Sequence, residues 1–346
     1  MDIRERLEAF WSGQRPDRIP YTIYEWLFDG VADDPAWLPM FDAGLGVTYH
    51  IPPYREWNDA AEPREAEYEI DGQRYRHTVL RTPVGEIHSN TMGGWRQEYW
   101  LKTAEDYRVM TWIVEHTHIE SNYHQFIERE HSMPHYGVAL SYAGRSPIQT
   151  ILVDYVGLEN FAVHLFDLEE EMRALYDALL KNFRRRIEIA AGGPGRFVSV
   201  LENFTAETMG PKRFEQFHLP VYDELFGLLH EADKVVGTHY DGRLASCAAV
   251  IARSPIDLIE SLTPPPEGDL TLAEARRAWP DKQFWSNISL RNYQLPPPQL
   301  HDTVLDLVRQ GAVDGRLLAF EVSEELPANW RETIPVVLNA LEETRT

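Results

Sequence analysis

Residues 235–269 read VVGTHYDGRLASCAAVIARSPIDLIESLTPPPEGD, and the fold turns on this stretch. An apolar run leads to His239 and, two residues on, Asp241. Gly242 breaks it, a helical segment follows, and a second apolar run ends in Glu260 before a proline-rich turn. The pattern is a strand, loop, helix, strand, loop unit. In parallel α/β folds, side chains leave the packed sheet at the strand ends and can meet a ligand there. His239, Asp241 and Glu260 stand at two such ends.

The same alternation extends in both directions. Upstream, Ile19 to Tyr24, LGVTYHIP from Leu45, YGVALSY at 136–142 and GRFVSVLENF ending in Glu202 and Asn203 read as strands. Downstream, FWSNIS ends near Asn287 and LLAFEVSEELP breaks from Glu321 to Pro327. Helices are expected over 2–11, 103–129, 168–191, 211–232, 272–278, 297–311 and 330–343, with Thr103 a helix cap answered by Asp106. About eight strands alternating with helices indicate a parallel sheet. No G-x-G-x-x-G turn and no Walker A loop occurs, which favours a TIM-like (β/α)8 barrel over a nucleotide-binding sheet. One barrel domain spanning 1–346 is expected. The exception is EYEIDGQRYRHTVLRTPVGEIHSN from Glu67, which alternates polar and apolar residues around Asp71-Gly72. It predicts an antiparallel β insertion at about 64–100, a lid over one end of the barrel or a contact in a homodimer.

Bulk properties limit the function. The formal charge is −22, from 33 basic and 55 acidic side chains spread along the chain. Such a surface disfavours nucleic acid and anionic lipid. Cys247 is the only cysteine, so one chain can form neither a disulfide nor a thiolate cluster, which fits a reducing cytoplasm. MDIRERLEAFWSG lacks the apolar stretch of a signal peptide, and no run is long enough to span a membrane. His116, His118, His124 and His131 cluster without the i, i+4 spacing of a helical metal site.

If the barrel is right, Glu202, Asn203, His239, Asp241, Glu260, Asn287 and Glu321 surround one mouth. Carboxylates converging on a histidine repel one another unless a proton or cation joins them. A divalent metal held by His239, Asp241 and Glu260 is the simplest remedy, and zinc accepts such ligands while keeping a position open for substrate. The alternative is that these acids pair with Arg243, Arg253 or Lys282. Glu202, His239, Asp241 and Glu321 are the candidate catalytic groups. Tyr24, Asn203, Tyr240, Trp285 and Asn287 are candidate pocket walls, and Trp26 and Tyr136 are further aromatic ones.

Taken together, PDRIP at 16–20, TPVGEI at 82–87, KTAEDY from Lys102, LHEADK from Leu229, THYDG from Thr238, DLIESLTPPPEGDLTLAEARRAWPDK from Asp257 and VSEELP from Val322 resemble the uroporphyrinogen decarboxylase superfamily along nearly the whole chain. That family includes the decarboxylase and zinc-dependent, corrinoid-linked methyltransferases. The resemblance implies His-x-Cys at the end of this strand and a further Cys near the last one as zinc ligands. Here His239 matches, but Asp241 replaces the cysteine, and the last strand offers Glu321, Glu324 and Glu325. Oxygen ligands leave zinc a stronger Lewis acid than thiolates do. The resemblance therefore implies an enzyme moving a methyl group from a small methoxyl or methylamine compound to a corrinoid on a partner protein. The decarboxylase's arginine-rich N-terminal segment is replaced by YTIYEWLFDG, which disfavours a polyanionic tetrapyrrole. Decarboxylation of a small carboxylate, or ligand binding without turnover, are the alternatives.

Overall fold

Eight parallel strands close into a barrel in a computed structural model that describes residues 1–345. They are β1 Tyr21–Tyr24, β2 Leu45–Ile51, β3 Gly137–Tyr142, β4 Phe197–Val200, β5 Val235–His239, β6 Leu258–Leu262, β7 Gln283–Asn287 and β8 Leu318–Glu321. Each pairs with the next in sequence, and β8 returns to β1 through Tyr21 opposite Phe320. The fold is the expected (β/α)8 barrel. Strands β4, β5, β6, β7 and β8 are buried at every position, as strands covered on both faces must be, and so read as apolar runs. Helices 272–278 and 297–311 have the expected bounds. Thr271 opens the first with a reciprocal capping box to Glu274, which fixes where the helix begins.

One end of the barrel is plugged with apolar side chains. The N-terminal helix Ile3–Trp11 inserts Ile3, Leu7, Phe10 and Trp11 against Val138, Leu140, Phe197, Val235, Leu258, Trp285 and Ala319. Trp11 stacks on Phe197 at 5.3 Å, and Phe10 meets Trp285 edge-on at 6.1 Å. Burying each of these large side chains contributes on the order of 2–3 kcal/mol. Gly237 makes the close packing possible, since a Cβ there would lie 2.4 Å from the Phe197 ring. Gln283 caps the inserted helix by donating to the carbonyls of Phe10 and Trp11.

The chain divides into two compact units. The barrel unit comprises Met1–Pro53, Asn122–Ala143 and the chain from Ala190 onward. The second unit, Tyr54–Ser121 with Gly144–Ile189, holds the antiparallel sheet. Its four strands run Glu62–Ile70, Gln73–Thr82, Gly85–Met92 and Trp95–Glu98, with Asp71 and Gly72 both at positive φ in the first turn. The helix opened by Thr103 ends at Glu115 instead of running to 129. His118–Ser121 pairs with Tyr54–Trp57 as a short strand, so sheet pairing overrides helical propensity there, and a new helix starts at Tyr123. His116, His118, His124 and His131 are all exposed. The helix expected over 211–232 begins earlier, at Ala206, and is reshaped at Gly210 and through a π-turn at Phe214–His218 before Leu219–Glu231. Among the described residues, no helix is long and apolar enough to cross a membrane.

Candidate active site

At the end opposite the plug, polar side chains fill the interior. Contacts between strands that are not neighbours identify them, because such contacts must cross the lumen. His50 from the end of β2 reaches Glu260 of β6, with Nε2 3.5 Å from Oε1. Ser199 of β4 donates to the other oxygen of Glu260 at 2.9 Å. The Tyr24 ring of β1 lies 6.2 Å from that of His239 on β5. Beneath this layer Trp285 Nε1 donates to Thr22 Oγ1 at 3.0 Å, so Thr22 and Trp285 form the boundary between plug and site.

The backbone of β6 bends to aim one more group inward. The pairing register with β7 shifts between Glu260 and Leu262, and Ser261 sits there with φ of 58°. A left-handed, non-glycine residue in a bulge is strained, and such positions cluster at sites where a side chain must be re-aimed. The Ser261 hydroxyl is 2.6 Å from Tyr24 Oη and 2.6 Å from Glu324 Oε1, which Asn287 Nδ2 also reaches at 2.9 Å. Glu321 Oε2 is 3.4 Å from the same hydroxyl. One serine thus ties β1, β6 and the loop after β8.

Charge in this interior is unevenly held. Burial opposes a charge on His50, but Glu25 and Glu260 contact it from both sides and raise its pKa to about 10. It is an imidazolium at neutral pH. Burial likewise works against ionised Glu260, yet His50, His239 and Ser199 together pull its pKa below the ordinary carboxylate value. Glu321 goes the other way: burial, reinforced by the charge of Glu260, raises its pKa well above normal, so it carries a proton. Burial also raises the Tyr24 pKa. Neither ring nitrogen of His239 has a hydrogen-bond partner, although its side chain is only 2% exposed. Its Nε2 lies 3.7 Å from Glu324 Oε1 and 3.9 Å from Asp241 Oδ2. Oε1 of Glu260 and Oε1 of Glu321 are also buried without a hydrogen bond.

No family model matches the chain, and no curated protein matches its sequence. The fold has solved counterparts. A methyltransferase from Methanosarcina mazei aligns over 99% of both chains, with a TM-score of 0.55 and 13% identity. A B12-independent methionine synthase from Shewanella sp. W3-18-1, in complex with selenomethionine, aligns over 90% of this chain and 84% of its own, at a TM-score of 0.41 and 13% identity. The first likeness is one of fold: the barrel architecture is shared across the full length.

The residues expected from sequence separate into two groups. His239, Glu260, Asn287, Glu321 and Tyr24 meet inside the mouth, with Asp241 and Asn203 at its rim, where Asn203 Nδ2 is 3.4 Å from Asp241 Oδ2. Glu202, Tyr240 and Trp285 lie elsewhere. The Glu202 carboxylate accepts a 2.6 Å hydrogen bond from Tyr222, and Tyr222 is 3.2 Å from Tyr240 Oη. Tyr222 belongs to the helix Leu219–Glu231, so this trio packs behind the barrel wall. Trp285 is in the plug, held there by Phe10, Trp11 and Phe197. Tyr136 likewise stacks on Phe41 at 3.7 Å. The basic side chains weighed as partners are engaged elsewhere: Arg243 with Glu207, Arg253 with Glu215, and Lys282 with the carbonyls of Ser254 and Ile256.

The three expected metal ligands do not all converge: His239 Nε2 and Asp241 Oδ2 are 3.9 Å apart, but Glu260 is engaged elsewhere. Glu260 is turned to His50 and Ser199, and Asp241 stays with Asn203 at the rim. Among the described residues, no three His, Cys, Asp or Glu side chains are arranged to hold an ion. The donor set as it stands therefore does not fit the zinc site that the sequence suggested. Sequence reading missed His50, Ser261 and Ser199; Glu25, which the sequence offers at the end of the first strand as either a catalytic or an ion-paired carboxylate, pairs with His50. The signal for His50 was available, since it is the last inward position of LGVTYHIP, two residues after buried Thr48 and two before Pro52.

Proposed function

We propose that this protein is a methyltransferase that takes a methyl group from a small methoxyl or methylamine compound held in the barrel mouth and delivers it to a corrinoid carried by a partner protein. One observation carries this reading. The mouth is lined by acids, imidazoles and aromatic rings, and no lysine or arginine among the described residues pairs with Asp241, Glu260, Glu321 or Glu324. A substrate carboxylate is held best by a free cationic group, and the imidazolium of His50 is already engaged by Glu25 and Glu260. A methyl donor needs none.

The chain's part in the reaction is to hold the donor and manage the leaving group. A corrinoid acceptor would supply the nucleophilic electron pair, so no base would be required from the protein. The carbon–heteroatom bond breaks and its electron pair stays on the heteroatom. When that atom is oxygen, protonated Glu321 supplies the proton, and Tyr24 and Ser261 fix the orientation of its carboxyl. When it is a positively charged nitrogen, the amine departs neutral and takes no proton. Orientation by a buried, hydrogen-bonded frame and proton transfer of this type each accelerate such steps, the latter about 10²–10⁴-fold.

The test is a corrinoid assay. Purified protein, cob(I)alamin and a panel of methoxylated and methylated amine donors are mixed, and loss of the cob(I)alamin absorbance is followed together with the demethylated product. Protein-dependent turnover that His239→Ala abolishes is expected. Release of carbon dioxide from a carboxylate, with no methylation of the corrinoid by any donor, would replace this reading with the lyase.

A further inference from the structure

We infer that the mouth is built to hold a cationic methylated nitrogen, a quaternary or protonated methylammonium group, in preference to a neutral methoxyl compound. The inference rests on the proposed methyl-transfer reading for its place in a reaction, but not for its geometry.

Two independent features meet at this spot. The first is uncompensated negative charge. The imidazolium of His50 is shared between Glu25 and Glu260, and no lysine or arginine among the described residues pairs with these acids. Asp241 and Glu324 remain: their hydrogen bonds come from neutral groups, Asn203 to Asp241 and Ser261 and Asn287 to Glu324, and the basic side chain they approach, His239, is 3.9 and 3.7 Å away. The His239 ring nitrogens and Glu321 Oε1 are buried with no hydrogen-bond partner. Buried polar atoms are seldom left so unless a ligand completes them. The second feature is an aromatic wall. Tyr24 and Trp26 stack at 4.0 Å with 14° between planes, and Trp26 lies 5.5 Å from His50. Trp26 keeps 45% of its surface exposed although it belongs to this stack, which leaves a ring face for a cation. Acids beside stacked aromatic faces are the chemistry that recognises alkylammonium ions, through the ring quadrupole and direct charge attraction. A methyl on such a nitrogen is also the easier one to transfer, because the departing amine is neutral.

The test is equilibrium binding, which needs no turnover. Choline is titrated calorimetrically into the full-length protein beside 3,3-dimethylbutan-1-ol, its neutral carbon isostere, and beside zinc or magnesium chloride alone. Choline is expected to bind at least ten-fold more tightly than the isostere. Trp26→Ala and Glu324→Gln, both at partly exposed positions and therefore compatible with folding, are expected each to weaken choline about ten-fold while leaving the melting temperature within a few degrees. Equal binding of choline and the alcohol, or no choline binding, overturns the inference. So does a divalent ion that binds and displaces choline, with the same two variants abolishing the ion's binding, since the charge would then belong to a metal. Choline binding without methyl transfer from any donor leaves the inference standing and removes the enzyme reading. Transfer from methoxyl donors with no choline binding does the opposite.

Discussion

His50 Nε2 and Glu260 Oε1 stand 3.5 Å apart across the barrel lumen, joined from opposite strands, with Glu25 on the far side of the imidazole. The pair closes the inner end of the mouth with a charged contact where a typical barrel interior would be apolar. Breaking a buried pair by removing one partner leaves a charge unsolvated and costs about 3–5 kcal/mol. His50→Ala is therefore expected to lower stability by an amount in that range, and Glu260→Gln by less, since Gln is neutral and still hydrogen-bonds Ser199. Urea denaturation at pH 7 measures both; equal, small losses would mean the pair is not formed.

The same pair sets a pH dependence. The folded pKa of His50, about 10, lies above its ordinary value of 6.5. A group whose pKa is raised by folding binds its proton more tightly in the native state, so its contribution is complete below pH 6.5 and is lost as the pH climbs toward 10. Wild-type stability is expected to fall across that window. Subtracting the curve of His50→Gln should remove most of the fall, and a difference curve flat between pH 6.5 and 10 would refute the assignment.

Glu321 gives a prediction of opposite character. Its carboxyl is neutral in the fold because burial and the charge of Glu260 hold the pKa well above 4.5. The wild-type protein must take up a proton on folding at neutral pH, which costs up to about 1.4 kcal/mol for each pH unit above the ordinary value. Glu321→Gln removes that cost and keeps the shape. The variant should be at least as stable as wild type at pH 7, with an advantage that shrinks as the pH falls to 4.5. Infrared spectra should show a protonated-acid carbonyl stretch in wild type that the variant lacks. A less stable variant, or no such band, would mean that Glu321 is ionised.

The barrel was legible because its strands are apolar runs ending in punctuation, and that pattern depends only on local sequence. The site was half legible for the same reason. His239, Asn287 and Glu321 end their strands and Glu260 ends the apolar run of β6 just before its bulge, so knowing where the apolar runs stop was enough to bring them together. Glu202 and Tyr240 lie just past strand ends too, but their partner Tyr222 sits on a helix 18 to 20 residues away. Which side of a strand a residue faces depends on inward or outward phase, and a shift of one position reverses it. His50 escaped notice because its importance comes from Glu260, more than two hundred residues distant in sequence. The bulge at Ser261 was invisible for a related reason: nothing in LIESL marks a residue that will adopt φ of 58°.

Trp285 illustrates the difference between lining a pocket and supporting one. Its ring is buried among Phe10, Trp11 and Phe197, and its nitrogen donates to Thr22. Trp285→Phe shrinks the core and leaves the Thr22 hydroxyl short of a partner, a loss of about 2–4 kcal/mol by the usual costs of a core truncation and a broken buried hydrogen bond. Choline affinity, if measured on the folded variant, should stay within two-fold of wild type. A selective loss of affinity without loss of stability would place Trp285 in the pocket after all.

Ser261 combines a backbone cost with a side-chain gain, and two substitutions separate them. Glycine adopts the left-handed conformation freely, whereas alanine there keeps the strain that serine bears. Both variants lose the hydroxyl that joins Tyr24 to Glu324. Ser261→Ala should therefore be the less stable of the two by about 1 kcal/mol, the usual penalty for a β-carbon at positive φ. With the hydroxyl gone, Glu324 keeps only Asn287 as a hydrogen-bond donor, and both variants should bind choline more weakly by a similar factor. Weaker binding in alanine alone would trace the effect to the backbone, and equal stability of the two variants would show that the bulge relaxes once the hydroxyl no longer holds it.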